Sequence, residues 1–216
     1  MITKYGYDVF FTIAGICIVL VLIAFFFIEP KSIKYSVFAF AFVFFGFTLN
    51  FFRDPDRVSP EGDNIVLSPA DGKVISIKTV RENEFFKGDA LQISIFMSPL
   101  NVHVNRIPVS GKVAYYRYVP GEFFAAFEDK ASERNEQTII GLEGNRGRVL
   151  FKQIAGFVAR RIVCNLQVGD SVSAGARFGM IKFGSRVDIF LPPSSSAKVT
   201  LDQKAVAGET ILAEFH

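Results

Sequence analysis

Histidine and cysteine are scarce in this chain, and so is net charge. The only histidines are His103 and His216. A zinc centre needs about four convergent N, S or carboxylate ligands, so this supply nearly excludes a His-rich metal site and no metal is expected. The two cysteines are Cys17, inside an apolar run, and Cys164, inside a strand-like segment. No disulfide is expected between them, and the chain is compatible with a reducing compartment. The formal net charge is +3, too small to argue for nucleic acid as a partner. Beyond position 53 no long segment of helical period appears, apart from a short candidate helix near residues 122–130. No internal repeat of fixed period is present.

What the chain has in abundance is phenylalanine, 25 residues of it, clustered before position 53. Residues 9–28 form an uncharged, almost wholly apolar stretch of 20 residues. As a helix at about 1.5 Å per residue it covers about 30 Å, the hydrocarbon thickness of a bilayer. A polar break follows, Glu29-Pro30-Lys31-Ser32-Ile33-Lys34, in which Pro30 cannot continue the helix. Residues 35–52 are a second apolar stretch of 18 residues. Phe38, Phe40, Phe42 and Phe44 alternate as in a strand, but Ala and Val lie between them, so there is no polar face and a helix in lipid is expected. Residues 1–52 thus read as a hydrophobic, membrane-associated helical hairpin that returns the chain to the side it started from. A signal peptide fits less well, because the apolar region is too long and no small-x-small cleavage site precedes the second run. Helices lying in the interface remain an alternative. Lys4, Lys31, Lys34, Arg53 and Arg57 fall on both sides and give little orientation.

Residues 53–216 read as a β-rich domain. Candidate strands are 64–67, 72–80, 90–96, 111–118, 137–142, 147–154, 160–163, 177–182 and 186–191. Their spacing of about ten residues, with turn signals between, predicts a barrel or sandwich. The run Val168-Gly169-Asp170-Ser171-Val172-Ser173-Ala174-Gly175-Ala176-Arg177-Phe178-Gly179 looks like the half-barrel of biotinyl and lipoyl carrier domains, with glycines making tight turns. The expected fold is mainly β, a barrel-sandwich domain preceded by the helical hairpin. Exposed barrel edges leave room for a homo-oligomer.

Candidate chemistry lies in Phe183-Gly184-Ser185-Arg186-Val187-Asp188. Gly-Ser is a common turn dipeptide. It is also the bond some enzymes break in themselves: the serine hydroxyl attacks the preceding carbonyl, and a glycine there offers no Cβ to block it. Two further segments are candidates to converge on it. Ser68-Pro69-Ala70-Asp71-Gly72-Lys73-Val74 supplies an acid, although Asp-Gly opening a strand is ordinarily a turn. Residues 96–108 supply His103, which could equally be a hydrogen-bonded bystander. Serine is a poor nucleophile unless a base takes its proton and a further group holds that base's tautomer. His216, the last residue, is expected to fray, leaving His103 as the imidazole.

Taken together these segments resemble the phosphatidylserine decarboxylases in their short prokaryotic form. The resemblance runs through the apolar hairpin, Arg53-Asp54-Pro55, Pro69-Ala70-Asp71-Gly72, residues 97–108, Val119-Pro120-Gly121-Glu122-Phe123, Asp129-Lys130-Ala131-Ser132-Glu133-Arg134-Asn135-Glu136, and the segment around Gly184-Ser185. It implies a cell-membrane enzyme, its catalytic domain cytoplasmic, that cleaves itself between Gly184 and Ser185. The products are fragments 1–184 and 185–216, which form a heterodimer. Ser185 becomes a covalent pyruvoyl group, the cofactor, which joins the amine of the phospholipid substrate phosphatidylserine as a Schiff base and acts as an electron sink. Ser185, His103 and Asp71 would be the catalytic residues, with Asp71 orienting His103. An ether-lipid substrate variant stays open, and no substrate-binding residue is assigned. Arg53, Arg57 and Lys73 could meet a lipid phosphate or simply be solvated. The Phe-rich second run and Phe123-Phe124 could line an acyl path or simply pack. Many longer relatives carry two histidines three apart in this segment; here the second position is Arg106, which leaves the division of labour between the two positions open. The rival reading is a non-enzymatic membrane-anchored barrel-sandwich carrier, with Lys182 the lysine to consider. A metallopeptidase lacks the ligands.

Overall fold

The computed structural model describes residues 1–122, 124, 134–156, 161–182 and 185–216. Two units make up the chain, Met1–Pro55 and Asp56–His216.

The first unit is a pair of apolar helices, α1 (Tyr7–Phe27) and α2 (Lys31–Phe51). Pro30 immediately precedes α2, its fixed φ of −66° suited to entering a helix. The phenylalanines that alternate in sequence lie within α2, where Phe40 and Phe44 stack at 5.8 Å, one turn apart. Cys17, Ala24 and Ala41 are buried, and small side chains let two helices approach closely. Large apolar side chains point outward instead, among them Phe11, Ile18, Phe26 and Phe42. Both helices are long and apolar enough to cross a membrane. The hairpin brings its ends together: Thr3 N–H donates to the Phe52 carbonyl, Asp54 N–H donates to the Met1 carbonyl, and Ile2 bridges to Arg53.

The second unit is mainly β. Its strands are β1 (Ile65–Leu67), β2 (Gly72–Glu82), β3 (Gly88–Met97), β4 (Val104–Arg106), β5 (Gly111–Val119), β6 (Gln137–Gly144), β7 (Arg148–Ala155), β8 (Arg161–Cys164), β9 (Ser171–Val172), β10 (Arg177–Lys182), β11 (Ser185–Leu191), β12 (Ser196–Ala197), β13 (Lys204–Ala205) and β14 (Ile211–Glu214). Eight of them form one curled sheet in the order β13-β2-β3-β11-β7-β6-β5-β9. The others form two small sheets, β4-β10-β8 and β1-β14-β12. All pairings between these strands are antiparallel. This is the expected barrel-sandwich class, and each of the nine expected strand segments carries a strand. Arg160 and almost all of the expected 122–130 helix lie outside the described residues.

Strand β11 sits at the centre of the large sheet and is buried along its whole length. Val187, Ile189 and Leu191 enter the main core with Ile93, Ile95, Phe151 and Phe178. On the other face Phe190 joins Ala90, Ile139 and Leu150 in a second cluster, flanked by Phe85, Phe86 and Tyr115.

Glycine is required at particular places. Gly169 and Gly175, in the carrier-like run, have φ of +102° and +77°, which residues with a Cβ rarely adopt. Gly72 allows β2 and β3 to approach: a Cβ there would lie 2.1 Å from the Phe96 carbonyl oxygen. Gly72→Ala is expected to push the strands apart and lower stability by about 1–3 kcal/mol, as overpacking does. Thermal unfolding of the full chain in detergent measures this.

Candidate active site

Ser185 opens β11, with Met97 of β3 and Ala155 of β7 as its strand partners. It is fully buried. Its hydroxyl donates to the Met97 thioether, Oγ to Sδ 3.2 Å. Gly184, the expected other side of the scissile bond, lies outside the described residues. Between Lys182 and Ser185 the chain passes from the small β4-β10-β8 sheet into the large one. A serine that heads a central strand has its backbone fixed by the ladders on either side.

His103 immediately precedes β4 and is completely buried. Its carbonyl accepts from Ile181 N–H at 3.4 Å, so the histidine segment runs beside the strand that leads to Ser185. The ring nitrogen Nδ1 lies 2.9 Å from the Asn101 carbonyl oxygen. A carbonyl can only accept, so Nδ1 carries the proton, and in the neutral ring Nε2 is the nitrogen with the lone pair. The Asn101 carbonyl is itself held by a tight turn. Asn101 N–H donates to the Ser98 carbonyl at 2.9 Å, while Ser98 N–H and its hydroxyl both donate to Asn101 Oδ1, at 2.8 and 2.9 Å.

Asp71 is held by partners of its own. Its carboxylate accepts a bidentate pair from Arg57, Nη1 to Oδ1 2.6 Å and Nη2 to Oδ2 2.9 Å. The Ala207 N–H donates to the same Oδ1 at 2.8 Å. Such a fork is among the stronger arrangements available to a carboxylate, and it is nearly buried, with 6% and 12% of the two side chains exposed. Arg57 is accordingly a buried structural partner, not a solvated charge. Asp71 ties residues 57, 71 and 207 together, while the imidazole is held by a main-chain carbonyl.

Arg106 is likewise accounted for by packing. Its Nη1 donates to the Gly175 carbonyl at 2.9 Å, and its side chain lies against Gly208. Its own N–H donates to the Pro69 carbonyl at 3.0 Å, which docks the Asp71 segment on the His103 segment. Lys73, in contrast, is exposed and pairs with exposed Asp202.

The residues after the serine form a buried polar cluster on the far face of β11. Arg186 Nε donates to Asp188 Oδ1 at 2.6 Å, and Arg186 Nη2 donates to the Ser94 hydroxyl at 2.9 Å. Gln92 Nε2 donates to Asp188 Oδ2 and to the Ser94 hydroxyl, each at 3.1 Å. Residues two apart on a strand share a face, which is why Arg-x-Asp makes an ion pair here. Cys164 is no rival nucleophile: burial pushes its thiol up to about 11, so it is not a thiolate at neutral pH. Among the described residues no group of three or more His, Cys, Asp or Glu is placed to hold a metal ion.

The 96–108 segment meets Ser185 through Met97 and the Pro69 carbonyl through Asn105, residues that sequence reasoning passed over. Met97 lies directly opposite the serine, and Asn101 supplies the carbonyl for His103. Asn135, fully buried, donates from Nδ2 to the carbonyl of Ala155 at 2.7 Å, beside Ser185 in the sheet. Met97, Asn101 and Asn135 all fall inside motifs that carry the resemblance; the missing signal was which strand faces which. Of the suggested acyl-path pair, Phe123 lies outside the described residues, and Phe124 exchanges hydrogen bonds with Asn135.

Comparison with known proteins matches the sequence to a family. The family model for phosphatidylserine decarboxylase matches residues 44–213. A phosphatidylserine decarboxylase proenzyme of Pelodictyon phaeoclathratiforme is 46% identical over 215 residues, covering 100% of both chains. Proteins of the same name from Chlorobium luteolum and Cytophaga hutchinsonii are 51% identical over 170 residues and 43% identical over 217 residues, covering 79% and 100% of this chain and 80% and 99% of theirs. With a buried serine heading the central strand, a histidine segment alongside it and similarity along its whole length, this chain belongs to the phosphatidylserine decarboxylase family.

Proposed function

We propose that this chain decarboxylates phosphatidylserine to phosphatidylethanolamine, using a pyruvoyl group that it makes from its own Ser185. The observation that carries the reading is the placement of Ser185, buried at the head of β11 between Met97 and Ala155, in a chain of this family. The position suits such a group, since a ketone there is shielded from bulk water by the strands on both sides. The relatives' name, proenzyme, fits a chain that must be processed.

In self-cleavage the Ser185 oxygen bonds to the carbonyl carbon of residue 184 and the amide C–N bond breaks, turning the amide into an ester. Elimination of the ester releases fragment 1–184 as a carboxylate and leaves a dehydroalanine, which takes up water and loses ammonia. His103 accepts the hydroxyl proton at Nε2, while the Asn101 carbonyl holds Nδ1–H and so fixes the tautomer. A pyruvoyl ketone supplies an electron sink for a substrate amine that loses carbon dioxide. During turnover the same imidazole returns a proton to the substrate α-carbon. Asp71, bound to Arg57 and Ala207, positions residues 69–72 rather than touching the reacting atoms. Residues 1–52 anchor the chain in the bilayer that holds the substrate's acyl tails. Residues 53–216 are the catalytic domain, and tethering raises the effective concentration of the headgroup. The carrier alternative is disfavoured by Lys182, only 4% exposed in β10, where a carrier lysine must be accessible for modification.

The test is a denaturing gel with intact-mass analysis of active protein. Two pieces are expected, the smaller spanning 185–216 with a blocked N-terminus. Borohydride added together with phosphatidylserine should increase the mass of that piece alone. Active protein with an unbroken backbone and an ordinary serine at 185 would overturn the reading.

A further inference from the structure

We propose that Asn105 and Gln153 are positioning residues for self-cleavage, acting on the Ser185 hydroxyl through the Met97 thioether; this rests on the self-cleavage reading above. A line of buried side chains runs from β6 to the serine. The Thr138 hydroxyl of β6 donates to Gln153 Oε1 of β7 at 2.7 Å, across a directly opposed pair. Gln153 Nε2 donates to Asn105 Oδ1 of β4 at 2.9 Å. Asn105 Nδ2 reaches the Pro69 carbonyl at 3.3 Å and Met97 Sδ at 3.9 Å. The Ser185 hydroxyl donates to that same sulfur. Met97, Asn105, Gln153 and Ser185 are all fully buried.

The amides have one workable orientation. Gln153 Nε2 also faces the Val163 carbonyl at 3.4 Å, and Asn105 Nδ2 faces that of Pro69. Carbonyls accept only, so turning either amide over would set oxygen against oxygen. Every donor therefore points toward the serine end, and the thioether takes contacts from two sides. Sulfur is a weak acceptor. It holds the hydroxyl in one direction yet releases it to a base at small cost, which a carboxylate or amide oxygen in its place would not do. The arrangement also identifies the residue of β4 that serves the site. Side chains alternate along a strand. Arg106 faces Gly175 and Gly208, and Asn105 faces the Ser185 surroundings, so the polar group that reaches the serine's neighbour is Asn105.

The experiment follows splitting over time on denaturing gels after cell-free synthesis of the full chain into detergent or liposomes. Met97→Leu keeps volume and removes the acceptor. Asn105→Leu breaks the line and strands Gln153, and the pair Asn105→Leu with Gln153→Leu, made together with Thr138→Val so that no hydroxyl is orphaned, removes both partners. Removing both is far gentler on stability than removing one, and the carbonyls left behind keep main-chain partners, Arg106 N–H for Pro69 and the β8–β10 ladder for Val163. Met97→Leu and Asn105→Leu are expected to split about tenfold more slowly, within the range that small misplacement costs. The triple variant should regain melting temperature relative to Asn105→Leu and still split slowly. Splitting of Met97→Leu at the normal rate overturns the inference, and so does recovery of that rate in the triple variant. A wild-type chain that never splits overturns the self-cleavage reading itself, and this inference with it.

Discussion

Ser185→Ala is expected to leave a single chain of 216 residues that turns over no phosphatidylserine. The oxygen at that position is both the attacking atom and the precursor of the ketone, so its removal abolishes processing and turnover together. Removing the base has a graded effect: His103→Ala should slow splitting by about 10²–10⁴-fold, the usual worth of a positioned acid or base. The folded state should barely notice the serine change. Its hydroxyl makes a bond to a thioether, and a neutral hydrogen bond contributes about 0.5–1.5 kcal/mol. Denaturing gels, carbon dioxide release from labelled substrate and a melting curve read the three quantities separately. Two pieces from Ser185→Ala would transfer the cut to an outside protease.

The second large effect is expected at Asp188. Arg186 and Asp188 have side chains 1% and 0% exposed, and each is further bonded to Ser94 or Gln92. Asp188→Ala breaks the buried ion pair by removing the carboxylate that faces Arg186, which costs about 3–5 kcal/mol in comparable cases. Set against a total stability of about 5–15 kcal/mol for folded proteins, that is enough to lower the yield of folded chain sharply. Because the pair lies on the strand that Ser185 opens, splitting should decline with folding. Replacing both charges, as in Arg186→Met with Asp188→Leu, should recover much of the melting temperature, since an apolar pair of similar volume is tolerated where a lone charge is not. If Asp188→Ala melts like the wild type, the pair has no such role.

Most of the architecture could be read before any coordinates. Alternating apolar positions and turn residues located β2, β3, β5, β6 and β7 to within a few residues, because each is long enough to show its period. Strand β4 escaped, since Val104, Asn105 and Arg106 are all buried and three residues carry no alternation. The termini of α2 were less legible than its existence: it begins at Lys31, directly after Pro30, within a segment whose charges read as a break. Ser185 and His103 stood out because their residue types are rare in that pattern or chemically distinctive. What could not be read was pairing across long sequence separations. Nothing local announces that Arg57 meets Asp71, that Ala207 shares the same carboxylate, or that Met97 faces Ser185 across 88 positions. Gln153, polar within the apolar run of β7, likewise finds its Asn105 partner on another sheet.

Strand β11 is gripped by β3 on one side and β7 on the other, and the residues after it return to pair with β1 and β2 through β14 and β13. A cut just upstream would thus liberate nothing. The 32 residues beyond it stay interlaced with the body of the domain, needing no covalent link to remain there, and the fresh chain end emerges in the interior instead of at the rim. Dilution should not part the two polypeptides. Swapping one for another would require dismantling the central ladder, so each mature molecule keeps the tail with which it was synthesised.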